Sequence, residues 1–394
     1  MKIIVKVSVI IVSYNVKYFL EQSLCSVKNA IDQCSMANGK LKPEESHAEV
    51  IVVDNNSSDG SLQYLQSKFP FVRFISNHEN TGFARANNQA LQQAKGQFIL
   101  FLNPDTILPG NFFSTCIPAM ENAPGIGALG VQMIDGTGTF LQESKRGFPT
   151  TWASFCKLSG LTALFPNSAF FAKYYLGHLD RNGNHEVDAL SGACMLVRKD
   201  VLDRSGGFDE RFFMYAEDID LSFEIRQSGY INYYLAEISI IHFKGESTKK
   251  DARYVKLFYK AMIQFVQKHY HGTKGGLYTG FLKMAIWFRS LFAFGGLRLA
   301  NRQRGHKNGK QKIFFAGDGS GIKEVQNIIT GSTGSTVVQS ASEANEIVLC
   351  EGRDFSFSEI IETMKLSPGK NYKIHALHSS SVVGSDNSRG SGTT

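Results

Sequence analysis

A clean membrane span is missing from this sequence. A bilayer-crossing helix needs roughly 18 consecutive apolar residues, and the candidate, Leu277 to Leu299, is interrupted by Lys283, Arg289 and Arg298. That stretch is not a clean amphipathic helix either, because at about 100° per residue Lys283 and Arg289 lie about 240° apart. Paired cysteines are also missing. Cys25, Cys34, Cys116, Cys156, Cys194 and Cys350 are scattered without a C-x-x-C pair. This argues against a disulfide framework or structural zinc and fits a reducing compartment. The run Met1 to Val12 carries two lysines but no small-residue cleavage site after it. It stops at Ser13-Tyr14-Asn15, as a buried strand does on entering a loop, so it reads as a first strand rather than a signal peptide. There is no internal repeat.

Acids all but vanish between Lys249 and Lys312. That block holds fifteen Lys and Arg against Asp251 alone, a charge of +14, so the other residues carry −7 within the total of +7. So concentrated a basic block implies a polyanionic neighbour, anionic lipid or nucleic acid. Phe281, Trp287, Phe288, Phe292 and Phe294 lie within it. Aromatic and basic residues mixed in this way suit a membrane interface. The expectation is therefore a cytoplasmic protein held peripherally at the inner face of the plasma membrane, with no nucleic-acid partner.

What is present is a globular core, with 43% hydrophobic and 20% charged residues, and 394 residues suggest one large domain and a smaller one. The first half alternates short apolar runs with helical patterns. Val7 to Val12, Glu49 to Val53, Val72 to Ser76 and Phe98 to Leu102 read as strands. Helices are expected over Val16 to Ala30, from Ser57 and Ser58 through Leu65, and over Phe83 to Ala94. This is the pattern of βαβ units on a parallel sheet. A polar insert lies at Asn38 to His47, and Gly136 to Glu186 is loop-rich with a helical stretch at Trp152 to Phe165. Strand-like sequence returns at Val187 to Val197, a helix is expected within Phe212 to Gly229, and Tyr230 to His242 reads as the last strand. After a polar linker, Asn301 to Lys312, a small α/β unit follows. It has strands at Ile313 to Ala316, Ile347 to Cys350 and Tyr372 to Ala376, a glycine turn at Gly317-Asp318-Gly319-Ser320-Gly321, and a helix at Ile322 to Ile329. Ser379 to Thr394 reads as a frayed tail. The division is thus 1–250, a basic aromatic-rich segment with linker at 251–312, and 313–394.

In open α/β sheets ligands sit beyond the carboxyl ends of strands. Asp54 falls there, and its carboxylate suits a base or ribose, while Asn55 to Gly60 supplies donors at a helix start. Asp105, in Leu102-Asn103-Pro104-Asp105-Thr106, is a hard-oxygen ligand aimed by a stiff proline turn, suited to Mg²⁺ or Mn²⁺ on phosphate oxygens. His242 ends the last strand and offers a further ligand. Arg85 and the amides of Asn80-Thr81-Gly82 suit a diphosphate. In Tyr215-Ala216-Glu217-Asp218-Ile219-Asp220, three acids in four positions exceed what capping a helix needs, and one can serve as a general base.

Taken in order, these segments resemble glycosyltransferase family 2, and especially its rhamnosyltransferase-like branch in bacterial polysaccharide assembly. The resemblance spans roughly residues 5 to 250 and also includes Ser191-Gly192-Ala193, Gly207 to Leu221 and Ile241 to Thr248. It implies a GT-A fold (a mostly parallel Rossmann-like sheet flanked by helices) and an inverting single displacement. The substrates implied are a nucleotide-diphospho-sugar donor and a glycan or lipid-linked acceptor. By the same resemblance Tyr14, Asp54, Arg85 and Asn103 serve the donor, Asp105 and His242 the metal, and Asp218, with Glu217 beside it, the catalytic step. One position departs: Glu224 stands where the family usually carries arginine, and Arg226, two positions on, points elsewhere on a helix.

Two other classes share parts of this pattern. A nucleotide-sugar nucleotidyltransferase would carry an N-terminal glycine-rich loop, and Ser8 to Lys17 has no glycine. A non-catalytic sugar-nucleotide sensor would not need the Glu217-Asp218 pair. The tail unit reads G-x-G-x-G at Gly317, Gly319 and Gly321, with no acid after Val337-Val338-Gln339-Ser340. A docking role therefore fits it better than a bound dinucleotide.

Overall fold

The computed structural model describes residues 4–37, 45–244, 252–270, 276, 278, 280, 312–329 and 336–384. Strands β1 (Ile4–Ser13), β2 (Glu45–Asp54), β3 (Val72–Ser76) and β4 (Phe98–Leu102) run parallel in the order β3-β2-β1-β4. Helices α1 (Lys17–Ala37), α2 (Ser61–Lys68) and α3 (Phe83–Leu91) connect them. A strand covered on both faces is apolar on both, which is why β4 is a continuous aliphatic and aromatic run and β1 is one from Val9 to Val12. The period of two is visible in the packing. Val7, Val9 and Ile11 meet Leu20, Leu24 and Val27 of α1 on one face, while Ile10 and Val12 meet Ala84, Ala86 and Ala90 of α3 on the other.

The sheet continues through β5 (Thr106–Ile107), β6 (Ile126–Ile134), β7 (His185–Val187), β8 (Cys194–Arg198) and β9 (Ile231–His242). The order is β3-β2-β1-β4-β8-β6-β9-β5, with β7 also on β9. Only β5, β7 and β8 run against the rest, so six of the nine strands share one direction. This is the mostly parallel, helix-flanked GT-A architecture that the sequence predicts.

Helix α4 (Phe112–Asn122) precedes β6. The helical stretch expected over Trp152 to Phe165 is two pieces, α5 (Thr151–Ser159) and α6 (Leu161–Leu164), because Gly160 sits at φ 85° between them. The expected strand Val187 to Val197 is also divided: a loop at 188–193 separates β7 from β8. After α7 (Lys199–Ser205) comes α8 (Glu217–Gln227), within the expected span Phe212 to Gly229 and with the acids in its first turn. Tyr215 and Ala216 sit at φ 71° and 64°, which breaks the helix just before the acids. Helix α9 (Ala252–His269) packs on α8 through Ala261, Phe265 and Val266 against Phe212, Ile219 and Phe223.

The second sheet holds β10 (Lys312–Gly317), β11 (Thr336–Val337), β12 (Glu346–Cys350), β13 (Tyr372–His375) and β14 (Val383–Gly384), with α10 (Gly319–Ile329) and α11 (Phe357–Leu366). Its order is β11-β10-β12-β13-β14, parallel except for the last strand. Although the sequence reads as a separate unit here, the two sheets share a core. Val16, Phe19, Ile107, Ile241 and Phe243 pack in one cluster with Leu349, Phe357, Ile360 and Met364. Buried polar groups join the same seam. Gln22 Nε2 donates to Ser379 Oγ at 2.8 Å and its Oε1 accepts from Ala376 N at 2.8 Å, while Ser381 Oγ donates to Glu21 Oε2 at 2.6 Å. In the glycine turn the chain supplies its own anion. Asp318 Oδ1 accepts from Ser320 N at 2.8 Å and Gly321 N at 3.3 Å, and Oδ2 accepts from Asp354 N at 3.2 Å. A carboxylate thus occupies the helix-start amides that a dinucleotide phosphate would need.

Apart from Tyr278 and Gly280, the basic aromatic stretch Leu277 to Leu299 lies outside the described residues, as do the linker Asn301 to Gln311 and most of the polar insert and tail.

Candidate active site

Parallel strands bring their following residues to one edge. Ser13 is in register with Asp54, and Ile11 with Leu102. Tyr14, Asn55 and Asn103 therefore emerge together, at the carboxyl end where ligands bind in such sheets. The loop at 191–193, the start of α8 and the end of β9 close the other side. The resulting cleft is lined by Tyr14, Asn55, Asn103, Gly192, Asp218 and His242 among others.

Asp54 lies buried beneath this surface. Its Oδ2 accepts from Ser57 N at 3.0 Å, while Oδ1 has no hydrogen-bond partner. Asn55, which sequence reasoning read only as a turn donor, holds the neighbouring loop together. It donates to Asn80 Oδ1 at 3.0 Å and to Gly82 O at 3.2 Å, and accepts from Thr81 N at 3.1 Å. Arg85 is not brought into the cleft. The buried face of α3 carries Ala84, Ala86, Asn87 and Ala90, and helical spacing leaves Arg85 exposed on the other side.

On the opposite flank, His242 Nε2 lies 3.5 Å from Asp105 Oδ1 and 3.3 Å from Asn103 Nδ2. Asp105 is buried, and neither its Oδ1 nor His242 Nδ1 has a hydrogen-bond partner. A buried carboxylate oxygen left unsatisfied is costly unless something cationic or protic completes it. A carboxylate oxygen beside an imidazole can give a divalent cation two of its ligands.

The two acids at the start of α8 differ in surroundings. Asp218 Oδ2 accepts from Arg146 Nη2 at 2.6 Å and from Gly192 N at 3.0 Å, and Oδ1 accepts from Ile219 N at 2.8 Å. Gly192 suits that approach, since a Cβ there would crowd Asp218 Cβ at 3.2 Å. Arg146 also donates to Leu190 O. Burial works against its charge, but Asp218 raises its pKa well above the ordinary arginine value. Glu217 is buried with Oε2 unpartnered. Burial and the adjacent Asp218 push it from 4.5 up to about 8. The preceding residues, Tyr215 and Ala216, hold left-handed backbone that costs on the order of 1 kcal/mol each. Such strain at non-glycine positions sets the direction in which α8 presents its acids.

Sequence reasoning missed Arg146. It reaches Asp218 across 72 residues, and no local pattern announces that pairing. The only signal is a basic residue in a loop-rich stretch otherwise short of charge.

Glu224 is compensated from another helix. Lys268 Nζ on α9 lies 2.8 Å from Asp220 Oδ2, 3.1 Å from Glu224 Oε1 and 3.1 Å from Asp209 Oδ2. His269 Nε2 is 2.6 Å from Asp220 Oδ1. Asp220, Glu224 and His269 converge closely enough to suggest a cation site, but the Lys268 ammonium already sits against both acids. Arg226 turns away to Glu186 at 3.0 Å.

Comparison with known proteins places these features in a family. The model described as glycosyl transferase family 2 matches residues 8–206, half of the chain. N-acetylglucosaminyl-diphospho-decaprenol L-rhamnosyltransferase of Mycobacterium tuberculosis is 27% identical over 273 residues, covering 66% of this chain and 88% of that protein. The rhamnosyltransferase WbbL of Escherichia coli K12 is 27% identical over 217 residues, covering 52% and 75%. Among solved structures, the Pyrobaculum calidifontis mannosyltransferase PcManGT in complex with GDP-Man and Mn²⁺ has a TM-score of 0.45 at 16% identity, covering 76% of each chain. The matched segment carries β1 to β4, the cleft edge they form, and the loop that reaches Asp218, and on that match the chain belongs to glycosyl transferase family 2.

Proposed function

We propose that this glycosyltransferase moves a sugar, a hexose or deoxyhexose, from a nucleotide-diphosphate donor to a hydroxyl of a saccharide or lipid-linked acceptor during assembly of cell-surface polysaccharide. The observation that carries this reading is one cleft lined by the ion-paired acid Asp218 on one side and by His242 on the other, with the buried, unsatisfied Asp105 oxygen 3.5 Å behind that imidazole. The rhamnosyltransferases among its relatives favour a deoxyhexose donor and a diphospholipid-linked acceptor.

In this reading Tyr14, Asp54 and Asn103 hold the donor, with the nucleoside over the ends of β1 and β2. The acceptor oxygen attacks the anomeric carbon from the face opposite the diphosphate. As that bond forms, the bond from the anomeric carbon to the phosphate oxygen breaks, and its electron pair leaves with the diphosphate. The acceptor proton passes to Asp218. Its Oδ1 accepts only from Ile219 N and keeps a lone-pair site for that proton, while Arg146 and Gly192 N hold Oδ2 so that no reorganisation is needed. Glu217, protonated near neutrality by its burial, supplies a hydrogen-bond donor beside that base. Asp105 and His242 would hold a divalent cation, Mn²⁺ or Mg²⁺, whose contribution when bound is to neutralise the diphosphate.

The acceptor reading is supported by charge. The +14 block between Lys249 and Lys312 would hold the enzyme at an anionic membrane surface, the cytoplasmic face where lipid-linked acceptors are elongated. No helix among the described residues is long and apolar enough to cross a membrane. The test is a panel of nucleotide sugars screened for thermal stabilisation with and without Mn²⁺, followed by transfer to a lipid-linked saccharide. Stabilisation by one donor and glycosylated product are expected; no response from any nucleotide sugar would remove the reading.

A further inference from the structure

Five of the eleven large apolar side chains exposed among the described residues fall between Trp152 and Phe170. Trp152 is 36% exposed, Leu164 72%, Phe165 49% and Phe170 60%. They form a built surface. The Trp152 ring lies 4.7 Å from Phe170 and 5.6 Å from Phe155, Phe165 stacks on Phe171 at 5.0 Å, and Trp152 Nε1 donates to Phe170 O at 2.9 Å. A soluble surface gains nothing by ordering so much apolar area in water, so a patch of this kind marks an interaction site.

Two observations point to one occupant. The first is charge: from Ser144 to Leu179 the chain contains no Asp or Glu, and while Lys145 and Arg146 are buried, the half-buried Lys157, over the Tyr174 ring, and the exposed Lys173 bring positive charge to this side of the molecule. The second is continuity. Tyr278 OH lies 2.8 Å from Ser154 Oγ and donates to Pro149 O, so the basic, aromatic-rich stretch is tied to α5 near its start. Tryptophan, phenylalanine and leucine beside lysine, with no acid in the segment itself, match the lipid–water interface, where apolar rings enter the acyl boundary and cations meet anionic headgroups.

We infer that α5, α6 and the loop to Phe171 form a second lipid-contacting surface, one that inserts aromatic side chains into an anionic membrane interface. It lies outside the basic block and does not depend on the catalytic reading. Its place in the chain gives it a consequence: α5 begins five residues after Arg146, the partner of Asp218. Seating this surface on a bilayer sets the acid-bearing side of the cleft close to the headgroups.

Trp152 and Trp287 are the only tryptophans, so the full chain carrying Trp287→Phe reports on Trp152 alone. With vesicles of phosphatidylcholine and phosphatidylglycerol, its emission is expected to shift to the blue and to be quenched by brominated acyl chains. In the full chain, combining Leu164→Ser, Phe165→Ser and Phe170→Ser is expected to weaken vesicle affinity in high salt by roughly tenfold or more. Low-salt attachment through the basic block should persist in that variant, and turnover of a soluble acceptor should be unchanged, which separates lipid contact from catalysis. The inference is overturned by protein that sediments with vesicles while Trp152 emission stays fixed. It is equally overturned by failure to bind vesicles, or by Trp152 emission already blue-shifted in solution and insensitive to vesicles, which would mean that another protein surface covers the patch.

Discussion

Arg146 Nη2 lies 2.6 Å from Asp218 Oδ2, a contact between a loop before α5 and the first turn of α8 that no local sequence pattern reports. Both side chains are largely buried, so the pair is costly to break. Removing one partner leaves the other's charge uncompensated in a poorly solvated place. Arg146→Ala is expected to lower unfolding free energy by about 3 kcal/mol, read by denaturant titration. Arg146→Lys should restore much of the stability but not the rate, because one ammonium cannot reach both Asp218 and Leu190 O. A kcat loss with KM nearly constant is the expected signature.

Glu217 gives a pH prediction with a definite sign. Its pKa rises from 4.5 to about 8 in the folded protein, so between those values the native state holds a proton that the unfolded state has released. Its contribution is complete below pH 4.5 and is lost as pH rises towards about 8. Glu217→Gln should flatten that decline, which has a limiting slope of about 1.4 kcal/mol per pH unit. Parallel slopes for the two proteins in chemical denaturation from pH 5 to pH 8 would count against the buried, protonated acid.

Lys268 bridges Asp209, Asp220 and Glu224. Lys268→Met leaves three carboxylates facing one another, and a loss of about 1–3 kcal/mol is expected. Since Asp220 shares α8 with Asp218, kcat should fall as well. The double variant Lys268→Met, Glu224→Arg should recover part of both, because it returns a cation to the cluster from the helix itself. Failure of the second change to help would separate Glu224 from this network.

Much of this architecture was legible in the sequence, and the reason is physical. β3 and β4 run over Val72–Ser76 and Phe98–Leu102 as expected, because a short apolar run bounded by polar residues has few other ways to be buried. β6 was not legible. Its Gly127 and Gly130 dilute the apolar signal, and a Cβ at either would lie 2.7 Å from a side-chain methyl of Ile225 or Leu190, which would have to shift. The acids of α8 lie in its first turn, where the run from Tyr215 to Asp220 places them, but the left-handed backbone at Tyr215 and Ala216 that precedes them has no sequence signal. The site shows the same division. Asp54, Asn103, Asp105 and His242 follow strand ends and were found there. Arg146 and Lys268 act through contacts across 72 and 48 residues, which are properties of the fold rather than of any window of sequence.

Asp105 predicts a metal dependence in donor binding. Asp105→Ala and chelation of wild-type protein should each weaken nucleotide-sugar affinity by roughly tenfold or more, measured by calorimetry, and the two losses should not add. Additive losses would place the cation elsewhere.

The C-terminal sheet is expected to be inseparable from the catalytic one. Ending the chain at Gln311 uncovers Phe19, Ile107 and Ile241, and the product should aggregate rather than fold as a smaller enzyme. Because Asp318 fills its own glycine turn, NAD and NADP should leave the thermal midpoint of the full protein unmoved.

The most direct test is transfer by Asp218→Asn, measured in a single turnover with donor affinity determined on the same protein. The amide keeps the shape of the side chain but cannot accept the acceptor's proton. Transfer should fall by about 10²- to 10⁴-fold while donor affinity stays within about twofold of wild type, since a base acts on the acceptor step. Wild-type transfer by Asp218→Asn would contradict the account.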